Sequence, residues 1–235
     1  MTQATIRTLR PNVTQQEALR VFNLGGLRGL FWRLRNGPLQ RLADVYVPYH
    51  LYRVRYEMGG AKHERIFALD AVDGSLDLFE FPAIPDRSQC EDLETRNHLQ
   101  DALDDARAEA LLREKVLRVL FQQGFFRLRG APKLECARLP LELHMPYWLG
   151  LYGSDKALRC RVLDAVRRRM EGAKANAFFE HWLAAWSGGS SCPDPFVARE
   201  PSRPRRSSSA RRPGRKAGST SARSSAWKNS RTASN

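Results

Sequence analysis

The residues of this chain best able to do chemistry are five histidines, at positions 50, 63, 98, 144 and 181, and four cysteines, at 90, 136, 160 and 192. None of the histidines forms an H-E-x-x-H pair. The chain also lacks a G-x-S-x-G elbow, a P-loop and a dinucleotide fingerprint. The catalytic pair that can be assembled is His50 with Asp70, provided that their strands are neighbours, since an Asp that orients a His makes a workable general base. No nucleophile is evident beside it. The cysteines show no C-x-x-C spacing, so no metal site is expected, and they read as free thiols of a reducing compartment. Nothing in the sequence calls for a cofactor.

Basic residues offer a different chemistry. The 235 residues carry a formal net charge of +14. From Val197 onward there are 11 Lys+Arg and one acid, so +10 of that excess lies in the last 39 residues. This segment is rich in Ser, Arg, Pro and Ala, with few large apolar residues. Such a composition cannot bury enough surface to offset chain entropy, and a disordered basic tail over 191–235 is expected. Arg205, Arg206, Arg211, Arg212, Arg215 and Lys216 are its candidate anion-binding residues. A cluster of that kind binds nucleic acid or another polyanion by counterion release, and an anionic membrane surface attracts it in the same way.

The elements that would position these groups follow from periodicity and breakers. Thr14 with Glu17 has capping-box spacing and opens a helix that runs to Leu34. Asn36-Gly37-Pro38 ends it. Val45–Glu57, Glu64–Val72 and Ser75–Phe81 read as strands. Glu91–Gln123 reads as one long helix, acidic first and basic later, an order that suits the helix dipole better than a metal site. A second strand region follows from Lys133, with another strand at 157–166 and a closing helix over 173–186. Alternation places Tyr46, Pro48, His50, Tyr52 and Tyr56 on one face of the first strand and Arg53, Arg55 and Tyr49 on the other. That separation argues against a sheet that stacks single-stranded nucleic acid.

Three short matches recur in the same order. RLRNGP (33–38) matches RLRGAP (127–132), VPYHL (47–51) matches MPYWL (145–149), and LDAV at 69–72 matches LDAV at 163–166. Their offsets are 94, 98 and 94 residues, so an insertion of four precedes the second PY strand and is compensated in the turn after it. The pattern predicts an α+β fold of two tandem helix–β-hairpin repeats, 1–90 and 91–190. Their antiparallel sheet would be covered by helices, because a lone hairpin cannot bury its own apolar face. The repeated Arg33, Arg35, Arg127 and Arg129 are secondary anion-site candidates. The stretch FALDAVDGSLDLFEFP resembles strand–turn–strand segments of PepSY-type domains, in which an Asp precedes a turn Gly, and nothing about function follows from that likeness.

The N-terminus has no apolar run of signal-peptide type, and the Ala18–Leu34 segment is interrupted by Arg20, Arg28 and Arg33. A cytoplasmic protein without a transmembrane span is expected. Peripheral membrane contact through this basic amphipathic segment is an alternative. Taken together, the residues point to a non-enzymatic binding or scaffolding protein with an unidentified protein partner and a tail giving nonspecific nucleic-acid affinity. The competing reading is an enzyme with a cleft between the repeats that holds His50 and Asp70.

Overall fold

The computed structural model describes residues 3–23, 31–32, 34–58, 60–123, 133–154 and 157–187. In chain order the elements are β1 (Ala4–Leu9), α1 (Gln15–Phe22), β2 (Leu39–Met58), β3 (Ala61–Asp70), β4 (Phe79–Phe81), β5 (Cys90–Thr95), α2 (Asp105–Gln122), β6 (Leu134–Ser154), β7 (Ala157–Asp164), β8 (Arg169–Met170) and α3 (Ala173–Ser187). Residues 31–32 and 34–36 are also helical. The fold is mixed α+β, with a curled multi-stranded sheet and few helices.

The long strands β2 and β6 are rich in Val, Leu and Tyr and pair antiparallel through the middle of the sheet, with Val47 opposite Met145. β3 flanks β2 and β7 flanks β6. Both long strands contain a proline where the flanking strand stops. β3 begins its ladder at Tyr49, one residue beyond Pro48, and β7 begins at Tyr147, one residue beyond Pro146. Proline has no N–H to leave unpaired at such a junction. Its carbonyl is still used: Ala71 N–H donates to Pro48 O and Ala165 N–H donates to Pro146 O. Beyond the prolines, the neighbours change. β1 meets β6 in parallel at Thr8 and His144, and His98 bridges Tyr46 in parallel. β1 and β5 pair antiparallel with each other. The sheet is therefore not purely antiparallel, as the sequence led us to expect.

The largest departure from the sequence reading lies at 91–104. Cys90–Thr95 is a strand, and α2 begins only at Asp105, with Asp104 as its N-cap accepting from Arg107 N–H. Glu91, Asp92 and Glu94 belong to β5, where register against β1 overrides helix propensity. The capping box at Thr14 and Glu17 is present, although α1 as described ends at Phe22.

Both faces of the central strands are covered. Val45, Val47, Tyr49 and Leu51 face a core shared with Met145, Tyr147, Leu149 and Phe179 of α3. On the other face, Tyr52, Val54 and Tyr56 lie under Ala108, Leu112 and Val116 of α2. At the far end Ala18 and Phe22 of α1 pack on Tyr152 and Leu163. The tyrosines of β2 are thus core residues on both faces, while Arg53 and Arg55 pair with Glu64 at the surface.

Candidate functional site

His50 is 4% exposed on β2. Its neighbour across the β3 ladder is Leu69, and Asp70 lies opposite Tyr49. Residues directly opposite share a face and successive residues alternate, so this register puts Asp70 on the other side of the sheet from His50. The expected pair is not formed. His50 Nε2 instead meets Asp101 Oδ2 at 2.5 Å, on the segment that leads into α2.

Asp70 has a structural task. Its Oδ1 accepts from the Asp73 and Gly74 N–H groups and its Oδ2 from Leu76 N–H, which closes the turn after β3. Gly74 holds a φ of +69°, a left-handed conformation that favours glycine. Asp164 does the same after β7, accepting from Val166 and Arg167 N–H. Burial raises both carboxyl pKa values above the ordinary range, against the pull of those hydrogen bonds.

An open groove of about 980 Å³ lies beside His50. His50, His98, His144, Asp101, Arg138 and Glu142 line it, together with residues of β1 and the Leu139–Leu141 bulge. This bulge arises where β6 opposes Leu51 alone with Leu139, Pro140 and Leu141, between the pairs His50–Glu142 and Tyr52–Arg138. His98 and His144 stack edge to face, with centroids 6.3 Å apart. Burial pushes His144 down to about 4. Arg7 pairs with Asp92 at 3.1 Å, and Arg138 pairs with Asp105.

Asp101 occupies one ring nitrogen of His50, and the other, Nδ1, is buried without a partner among the described residues. The hydroxyl groups in the wall belong to Thr5 and Tyr49, and the Tyr49 hydroxyl is buried against that of Tyr147 at 2.8 Å. Among the described residues, no three or more His, Cys, Asp and Glu side chains are grouped to hold a metal ion. Cys90, Cys136 and Cys160 are free thiols, and burial raises the pKa of each.

Of the basic candidates, Arg35 is described: it lies in the wall of a second pocket, with Trp32, Arg159 and Asn176. Arg33, Arg127, Arg129 and the tail residues Arg205, Arg206, Arg211, Arg212, Arg215 and Lys216 lie outside the described residues. Asp101 and the groove around it were missed by the sequence reading. The available signal was the change of offset from 94 to 98, since the bulge falls in the interval where the extra residues are inserted. Among the described residues, no helix is long and apolar enough to cross a membrane.

No protein-family model matches the chain, and no curated protein and no solved structure is significantly similar to it.

Proposed function

We propose that this chain is a non-catalytic binding protein. A body built from two equivalent units makes the protein contacts, and the Arg-rich C-terminal segment adds affinity for nucleic acid or another polyanion. The observation that carries the proposal is the segregation of charge: +10 of the net +14 lies beyond Phe196. Neutralising phosphates releases counterions, so such a segment gives salt-sensitive affinity with little sequence preference.

The equivalence of the two units is supported by devices that recur at matching positions. Thr14 and Asp104 cap the two helices that cover the same face. Asp70 and Asp164 gather the N–H groups of the turns after β3 and β7. Val47 and Met145, aligned in the sequence match, face each other across the strands, and the aligned Tyr49 and Tyr147 join hydroxyls. The groove beside His50 is the site we assign to a protein partner of the body.

The test is a salt titration of binding to labelled single-stranded RNA and duplex DNA. It compares the full chain with a variant in which Arg205, Arg206, Arg211, Arg212, Arg215 and Lys216 are replaced by Ser. The variant is expected to flatten the slope of log K against log salt by up to about 0.7 per lost phosphate contact on a single strand and about 0.9 on duplex. An unchanged slope and affinity would remove the polyanion role from this segment.

A further inference from the structure

The second pocket, of about 640 Å³, lies between the helical residues 31–32 and 34–36, β7 and α3. Its wall combines hydrogen-bonding groups without partners and basic side chains. Among the described residues, the buried Trp32 indole N–H reaches no acceptor and the buried Asn176 side-chain oxygen has no donor. The Asn176 carboxamide can turn its NH2 into the same space. Arg161 stacks on the Trp32 ring at 5.2 Å, and its Nη1 is also buried and unpartnered. Glu180 is the acid in the wall, and it is already engaged: it accepts from Cys160 N–H and lies 3.7 Å from Arg159. Arg35 and Arg159 therefore outnumber the one carboxylate of the wall, with Arg161 against the Trp32 ring beside it. A buried donor without an acceptor is destabilising, and an entering oxyanion removes that cost.

The rim has the opposite character. Phe31 is 70% exposed and also lines the pocket, and Leu34, three residues further along the helical segment, is 75% exposed. An anion-binding wall beneath exposed apolar side chains fits a ligand of mixed character. We propose that this pocket binds a phosphate-type head group carried on an apolar chain. The head accepts from Trp32 and Arg35, with Arg159 beside it, and the chain lies along Phe31. Arginine suits such a head because its planar fork matches two oxygens at once.

The test follows the Trp32 indole N–H in ¹⁵N spectra of the full chain, with the resonance identified by Trp32→Phe. The probes are lysophosphatidic acid below its critical micelle concentration, lysophosphatidylcholine, sodium phosphate, and phosphatidylcholine vesicles with and without phosphatidic acid. Lysophosphatidic acid is expected to shift the Trp32 resonance saturably, with sodium phosphate at least tenfold weaker. The exposed variants Arg35→Gln and Arg159→Gln should each weaken that binding severalfold without changing the melting temperature. A matching shift with phosphatidic-acid vesicles would identify a membrane as the source of the ligand, and its absence would identify the free amphiphile. Equal binding of lysophosphatidylcholine would overturn the role of the anion, and equal binding of phosphate would overturn the role of the chain. If no probe moves Trp32, the site is refuted, even where vesicles retain the protein, because retention alone is what the basic C-terminal segment would produce.

Discussion

The hydroxyls of Tyr49 and Tyr147 meet at 2.8 Å in the core, where the two residues are 2% and 5% exposed. Burial raises the pKa of both, so each stays a neutral phenol. Changing either to Phe leaves the other hydroxyl buried with no partner. That is the expensive case, and each single variant should lose about 1–3 kcal/mol. Changing both removes the orphan, and an apolar pair of the same shape can be nearly neutral. The double variant is thus expected to recover most of both single losses, giving a coupling energy close to their sum, roughly 2–6 kcal/mol, in a double-mutant cycle. Urea unfolding of the four proteins measures it, and a domain of this size shifts its melting midpoint by about 2–4 °C per kcal/mol. Simple additivity, with the double variant losing the sum of the singles, would refute the view that the hydroxyls satisfy each other.

The two turn carboxylates should differ. Asp70 uses both oxygens and Asp164 one for backbone N–H groups, so Asp70→Asn, which turns an NH2 toward a donor, should lose about 1–3 kcal/mol more in urea unfolding than Asp164→Asn. His144 binds its proton near pH 4 when folded, against an ordinary histidine value of 6.5, so the unfolded chain holds more protons between those values. Its contribution is full above pH 6.5 and is lost as pH falls toward 4, by up to about 3 kcal/mol. Asp70 and Asp164, with raised values, act in the opposite sense, losing stability as pH rises through their folded pKa. The check is therefore the difference in urea midpoint between wild type and His144→Gln, which should shrink from pH 7 to pH 5. A methyl added at Gly150 would lie 2.6 Å from the buried Phe22 ring, so Gly150→Ala should lose about 1–3 kcal/mol and Phe22→Leu should restore part of it, both read from thermal melts. Asp101→Ala frees His50 Nε2 and should speed hydrogen exchange in the first turn of α2 before it changes exchange in β2.

The parts of the fold legible in the sequence are those set by local chemistry. The Thr14–Glu17 spacing specifies the N-terminus of α1 because the reciprocal bonds need only three residues of separation. The β2 and β3 strands are legible from their Val, Ile and Tyr content and from the Gly-containing turn between them. Cys90–Thr95 is not, because EDLET has no alternation that distinguishes a strand, and its identity depends on β1 lying beside it from far away in the chain. β1 itself, ATIRTL, is too short to establish a period of its own. The candidate pair fails on register: His50 and Asp70 are on adjacent strands, but one residue of offset separates their faces. No pattern within either strand carries that information.

The difference between the two halves is more informative than their likeness. The Trp148 indole N–H donates to Val13 O, one residue before the cap of α1. His50, at the matching position, holds Asp101, three residues before the cap of α2. Both rings therefore tie a central strand to the segment entering its covering helix. Trp148 belongs to the cluster formed with Val13 and Phe22. His50 is a smaller ring, and the strand opposite it bulges at Leu139–Leu141, so the groove opens on this side of the molecule. Extra backbone at a bulge bends its strand and locally disrupts the ladder. Under the proposed duplication, the insertion falls in the second unit, on the strand opposite His50 of the first, and the groove opens there. A partner of the body should then be sensitive to the bulge, at Arg138 and Glu142, and indifferent to the matching face around Trp148.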